Sequence, residues 1–97
     1  MIVETIHDDV CGIYLRSVLL PKSGDRIEQH THDHDHANYC GSGSAQVFID
    51  GEYRGDVKAG GAVEIKAGKK HSFIALEDGT RLVCVHDIAS AEEQRKR

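Results

Sequence analysis

Apolar and polar residues alternate through most of the chain, and this period of two limits the fold more than any other feature. In "SAQVFID", Ala45, Val47 and Ile49 share one parity, and alternate side chains of a strand point to the same face. The segments "CGIYLRSVLL", "GGAVEIKAG" and "HSFIALEDGTRLVCVHD" alternate in a similar way. Short, half-buried strands are therefore predicted along the chain.

Turn-forming residues interrupt these segments at intervals of about ten residues. Asp50-Gly51 and Asp78-Gly79 are hairpin signals, because a type I′ turn needs positive φ at both central residues. Short strands with regular turns indicate an all-β sandwich or small barrel rather than an α/β fold. The one predicted helix is the polar tail "IASAEEQRKR".

The composition argues against several classes of function. The 97 residues suffice for a single domain, 1–97, with one modest core. A net charge of −4 without a basic face argues against nucleic-acid binding. No apolar run reaches the ~18 residues of a membrane span, and the first residues do not resemble a secretory signal. Three cysteines without a close pair, Cys11, Cys40 and Cys84, favour a reducing cytoplasm.

Four of the seven histidines stand at every second position of "EQHTHDHDHANY", namely His30, His32, His34 and His36. On a straight strand, residues i and i+2 lie ~6.6 Å apart and residues i and i+4 ~13 Å apart, so one ion cannot bind all four. A metal site requires a turn inside the tract, with His30 and His32 on one strand, His34 in the turn and His36 on the next strand. The alternative is a histidine-rich edge with adventitious metal affinity.

A further ligand has to come from elsewhere in the chain, and His71 is the best candidate. It begins an apolar strand whose same-parity residues, Phe73 and Ala75, are predicted to face the core. A histidine on such a face needs a polar partner, and a metal ion would provide one.

The spacing of glycines and histidines resembles the first motif of the cupin family. That motif reads Gly, five residues, His, one residue, His, three or four residues, Glu, six residues, Gly. Here the corresponding residues are Gly24, His30, His32, His36 and Gly43. Every position matches except the glutamate, which His36 replaces.

The second cupin motif is present in a weaker form. It reads Gly, five residues, Pro, one residue, Gly, two residues, His, three residues, Asn. The corresponding residues here are Gly60, Lys66, Gly68, His71 and Ala75, so the proline and the asparagine are replaced.

The resemblance implies a fold, a site and an assembly. The implied fold is a double-stranded β-helix, or jelly-roll barrel, over about residues 12–88, followed by a short polar tail, 89–97. The implied cofactor is one divalent metal ion bound inside the barrel, and homodimers are common among cupins of this size. The implied ligands are His30, His32, His36 and His71, or three imidazoles if His36 turns away from the site, and His34 is the alternative to His36. Imidazole in place of carboxylate favours Fe, Zn, Ni or Cu over Mn or Mg.

Parity also indicates which side chains line the cavity around such a site. Arg26 and Glu28 share parity with His30 and His32, although a bulge would turn them to solvent. Cys40 is either near the metal or a small apolar residue of the core. The full set of candidates is Arg26, Glu28, Asn38, Cys40, Phe73 and His86.

The function suggested by the resemblance is a metalloenzyme acting on a small organic molecule. Dioxygenase chemistry is favoured, because an all-histidine site suits Fe(II) and needs no carboxylate base. Two alternatives stay open: a cupin isomerase or lyase, and a module that binds metal or a small ligand without catalysis. The fold alone cannot choose among them.

Overall fold

Nine strands and one short helix are present in residues 2–96, the part of the chain that the computed structural model describes. The first five strands are β1 (Val3–Val10), β2 (Ile13–Leu20), β3 (Arg26–His30), β4 (His36–Ser42) and β5 (Ser44–Ile49). The remaining elements are β6 (Glu52–Lys58), β7 (Ala62–Ile65), β8 (His71–Ala75), β9 (Thr80–Asp87) and α1 (Ile88–Arg95).

The strands form two antiparallel sheets with a shared core. One sheet has the order β1-β2-β9-β4-β7, and the other has the order β3-β8-β5-β6. The core draws side chains from both sheets, including Leu20 and Leu82 from the first and Val47 and Phe73 from the second. This architecture confirms the predicted all-β jelly-roll fold.

Strand β2 carries apolar residues on both parities, and the structure decides which face is buried. Val18 is 3% exposed and Leu20 is fully buried, so the even-numbered side chains face the interior. Tyr14 and Arg16 have the same parity and extend this inward face toward one end of the barrel, where both line a cavity.

Two hairpins use positive φ at adjacent residues. Asp50 and Gly51 have φ of 53° and 80° between β5 and β6, as the Asp-Gly signal predicts. Cys11 and Gly12 have φ of 53° and 79° and connect β1 to β2. Strand β1 lies before the predicted barrel, and it forms the exposed edge of the five-stranded sheet.

Helix α1 follows β9 directly and is held against the barrel. Ala91 is its buried residue. The side chain of Gln94 forms two hydrogen bonds with Asp35, in the loop that carries His32 and His34. Among the described residues, no helix has the length and hydropathy of a membrane span.

Candidate metal centre

Three short segments bring histidines to one end of the barrel. His30 is the last residue of β3 and His36 is the first residue of β4. Since β3 and β4 belong to different sheets, loop 31–35 crosses the end of the barrel and carries His32 between them. His71 begins β8 and pairs directly with His30 across the sheet. Strand pairing and the packing of the two sheets thus bring together residues that lie far apart in sequence.

The histidine side chains form a tight cluster. Ligating nitrogens of His30, His32 and His71 all lie within 4.8 Å of one another. The ring of His36 is adjacent, with its centroid 4.8 Å from those of both His32 and His71. His36 therefore borders the three-histidine set as a fourth imidazole. His32 extends from the loop rather than from β3, because the strand ends at His30.

Hydrogen bonding leaves ring nitrogens of this cluster free to bind an ion. Nδ1 of His30 lies 2.8 Å from the carbonyl oxygen of Glu28, and Nδ1 of His71 lies 3.3 Å from that of Lys69. A carbonyl can only accept, so each Nδ1 carries the proton and Nε2 is left as a ligand. Within residues 2–96, buried Nε2 of His32 and both ring nitrogens of His36 have no hydrogen-bond partner.

Buried polar atoms without partners are costly, and a metal ion would satisfy them. Burial lowers the pKa of His32 to about 4 and that of His36 to about 3, with neighbouring histidines adding to the effect. Burial also lowers the pKa of His71. Neutral imidazole is the form that binds metals. The residues present therefore fit a divalent transition-metal ion.

His34 lies next to the cluster but has other partners. Its Nδ1 is 3.1 Å from Oδ1 of Asp33 and 3.2 Å from Nη2 of Arg95. Its ring packs on that of His86, with centroids 4.2 Å apart. His34 thus connects the loop to β9 and α1.

The two aspartates of loop 31–35 hold the loop in place. Asp35 accepts hydrogen bonds from the backbone N–H of Ala67 at 2.8 Å and from Nε2 of Gln94 at 3.0 Å. Asp33 accepts a hydrogen bond from Nε of Arg95 at 3.0 Å. The Ala67 and Gln94 hydrogen bonds lower the pKa of the Asp35 carboxyl. Both carboxylates are therefore occupied by loop anchoring.

A model of a cupin domain family matches residues 16–86 of the chain. The chain belongs to the cupin family. The match covers both motif regions, so the histidine cluster lies where cupin spacing leads one to expect a metal site. No curated protein matches the chain.

Solved structures with similar folds have mixed functions. KdgF from Halomonas sp. is 24% identical with a TM-score of 0.75, covering 87% of this chain and 76% of that one. A conserved protein of unknown function from Streptococcus pyogenes is 25% identical with a TM-score of 0.72, covering 88% and 73%. A predicted oxalate decarboxylase from Thermotoga maritima is 20% identical with a TM-score of 0.64, covering 74% and 63%. These likenesses support the fold.

The predicted cavity residues of this cupin divide into three groups. Asn38 and Phe73 line a small gap beside the histidines, and His86 lines a larger pocket. Cys40 is fully buried in the hydrophobic core. Of the two alternatives for this residue, the structure therefore supports the small apolar core residue.

The remaining two cavity candidates, Arg26 and Glu28, are exposed on β3. The register of β3 against β8 shifts between Ile27 and His30. Both Ile27 and His30 line the internal gap as a result, although they are three residues apart. The shift leaves Arg26 and Glu28 facing solvent, which is the outcome expected if β3 contains a bulge.

The larger pocket has a volume of about 330 Å³ and opens beside the cluster. His32 and His34 line it on one side, and β2 and β9 contribute three residues that were not among the candidates named from the sequence, Tyr14, Arg16 and Cys84. Tyr14 and Arg16 have the parity of buried Val18 and Leu20. The two residues of β2 were missed because that strand carries apolar residues on both parities, and an arginine in such a strand is normally assigned to the solvent face.

Proposed function

We propose that this cupin binds one divalent transition-metal ion through His30, His32, His36 and His71. The proposal is carried by one observation: unpartnered imidazole nitrogens converge at the end of the barrel, beside a pocket large enough for a small molecule. Imidazole ligands without a carboxylate favour Fe, Zn, Ni or Cu. When bound, such a metal supplies Lewis acidity or, as Fe(II), a binding position for O2.

We propose a dioxygenase-type reaction on a small organic molecule as the activity. The ligand set supports this choice, because neutral imidazoles without a carboxylate suit Fe(II). Burial raises the pKa of the Cys84 thiol to about 11 and also raises the pKa of Tyr14. Among the described residues that line the pocket, Asp8 is the one carboxylate. An isomerase or lyase would require a general base close to the reacting atoms, and His34 and His86 in the pocket wall are the residues that could serve as one.

A module that binds a metal or small ligand without catalysis is the second candidate. The raised pKa values of Cys84 and Tyr14 favour it, because neither side chain can serve as a base near neutral pH. Oxygen uptake by the Fe(II)-loaded protein, measured across thiols, diketones and phenols, separates the two candidates. Uptake with one class supports the dioxygenase, and no uptake with any class supports the binding module.

Metal content tests the site itself. Tag-free wild-type protein is expected to retain about one metal ion per chain after dialysis, whereas His30→Ala and His71→Ala are expected to lose most of it. His7→Ala is the matched control, because His7 lies on exposed β1. Melting curves without metal check that each variant is folded. Equal metal content in wild type, His30→Ala and His71→Ala would rule the site out.

We propose a homodimer formed through β1. This strand is exposed along its whole length and pairs only with β2 in the described chain. Val3, Ile6 and Val10 are 45–51% exposed on it, and an exposed apolar edge strand is a typical site of association. A second copy can cover both the edge and the apolar side chains. Light scattering is expected to give twice the chain mass for wild type and a monomer for Ile6→Lys, and a monomeric wild type would contradict the proposal.

A reducing compartment such as the cytoplasm is proposed from the cysteines. All three are free, with Cys11 exposed, Cys40 buried and Cys84 partly buried. A protein that folds without disulfides does not require an oxidising compartment. Fractionation of cells that express the chain would test this placement.

A further inference from the structure

Arg16 occupies an unusual position for an arginine. It lies on the inward face of β2, where it lines both the 330 Å³ pocket and the small internal gap that contains His30 and His71. Its side chain is 28% exposed. This placement beside a cluster of histidines differs from that of most arginines, which extend into water.

The guanidinium of Arg16 is only partly engaged. Its Nε donates a hydrogen bond to Oε1 of Glu4 on β1. In the described part of the chain, no hydrogen bond occupies its two Nη groups. The N–H groups of these two atoms form a planar fork that matches the two oxygens of a carboxylate. The free end of Arg16 is thus suited to an anion.

The other walls of the pocket indicate the size and shape of a ligand. Arg95 lies in the wall with His34, and Asp8 is the one carboxylate among the described lining residues. The rings of Tyr14 and His86 are stacked, with centroids 4.8 Å apart and planes inclined by 15°. They form a flat wall beside Arg16. A volume of about 330 Å³ is at the lower end for small-molecule pockets.

We propose that the pocket binds a small oxygenated carboxylic acid, with the carboxylate on Arg16 and a second oxygen directed to the metal. This inference rests on the proposed function, because the second oxygen needs the metal site. Two observations support the inference. Arg16 lines the same pocket as His32, and it lines the same internal gap as His30 and His71. The ligand class is thereby narrowed from small organic molecules to hydroxy and oxo acids.

Binding to the Ni(II)-loaded protein tests the proposal. The probes are lactate and salicylate, each compared by calorimetry with its neutral amide, lactamide and salicylamide. At least one acid is expected to bind about 10-fold or more tightly than its amide. Arg16→Gln is expected to weaken acid binding by about 10- to 100-fold, as for loss of a charged hydrogen bond, and Arg16→Lys is expected to weaken it less.

Arg54→Gln is the matched control, because Arg54 is exposed on β6 and pairs with Glu52 there. It is expected to bind the acids as wild type does. Nickel content and melting curves of Arg16→Gln are expected to equal those of wild type, because a part-exposed ion pair such as Arg16–Glu4 adds little to stability. Normal metal content in this variant separates loss of the carboxylate site from loss of the metal site.

Three results would overturn these assignments in distinguishable ways. A wild-type protein that takes up no nickel overturns the proposed function and the ligand site together. A nickel-loaded wild type that binds neither acid, or binds acids and amides alike, overturns the carboxylate site alone. Undiminished acid binding by Arg16→Gln removes Arg16 from that site.

Discussion

At the residue scale, His36 distinguishes this chain from the usual cupin pattern. It takes the position of the glutamate in the first motif, is 4% exposed, and has two buried ring nitrogens without partners in the described chain. The replacement removes a negative charge from the cluster. It leaves a site of neutral imidazoles, which favours late transition metals over Mn or Mg.

Restoring the carboxylate by His36→Glu is expected to change which metal ion the protein prefers. It is also expected to affect the stability of the metal-free protein differently from that of the metal-bound protein. Without metal, a buried acid lacking hydrogen bonds costs about 1–3 kcal/mol. With metal, it becomes a ligand, so binding of Mn relative to Zn should strengthen. Competition dialysis and metal-dependent melting measure both effects. His7→Glu on exposed β1 is the control, and an unchanged Mn/Zn preference would contradict the assignment of His36 as a ligand.

Gly43 has a structural role that only glycine can fill. It has φ of +70°, and a Cβ there would lie 2.3 Å from Oγ1 of Thr80 and 2.9 Å from its Cα. Gly43→Ala is expected to lower the free energy of unfolding by about 3 kcal/mol, from backbone strain and overpacking together. At Gly41 a Cβ meets only ordinary contacts, at 3.7 Å or more. Gly41→Ala should change stability by less than ~1 kcal/mol, and equal urea midpoints for both variants would contradict this explanation.

At the element scale, the end of the barrel is closed by loop 31–35 and helix α1 acting together. Gln94 forms two hydrogen bonds with Asp35, of 2.7 and 3.0 Å, and Arg95 forms one with Asp33. The loop carries His32, and His36 follows it directly. The position of two candidate ligands thus depends on a helix at the far end of the sequence.

Gln94→Ala is therefore expected to weaken metal binding without unfolding the barrel. Losing both hydrogen bonds to Asp35 frees the loop, so the ligands pay more entropy when they bind. We expect metal affinity to fall about 10-fold, which is the lower part of the range for residues that support metal ligands. Glu92→Ala on the exposed side of α1 is the control. Affinity equal to wild type in Gln94→Ala would show that α1 does not position the loop.

At the scale of the whole molecule, histidine burial makes the metal-free protein sensitive to acid. The unfolded chain binds protons on histidines near pH 6.5, whereas the folded pKa is about 4 for His32 and about 3 for His36. Between these values the unfolded state holds more protons, so acidification favours unfolding. Above about pH 7 both states are neutral at these residues, and the effect vanishes.

The free energy of unfolding of the metal-free protein is thus expected to fall as pH decreases from about 6.5 toward 4. Urea unfolding in the presence of a chelator measures it across that range. His36→Gln should flatten the decline because it removes one of the titrating groups, whereas His7→Gln on exposed β1 should leave it unchanged. An identical slope for His36→Gln and wild type would show that His36 titrates normally in the folded state.

Local pattern was sufficient to predict the fold class. The alternation of Ala45, Val47 and Ile49 predicted a buried face of β5, and Asp50-Gly51 predicted a hairpin, because both depend on neighbouring residues alone. The spacing of His30, His32 and His36 likewise follows the family motif. Strand β1 escaped prediction, since its exposed residues lack a buried face to impose a clear pattern.

Only the tertiary structure decided how these pieces meet. The bulge in β3 turned Arg26 and Glu28 outward, and the inward face of β2 became clear only once the sheets packed. A bulge changes parity without a distinct sequence signal, and a strand with apolar residues on both faces needs a partner sheet to select one. The sequence alone therefore determined the fold class and the histidine motif, while packing brought Arg16 into the pocket and α1 onto the histidine loop.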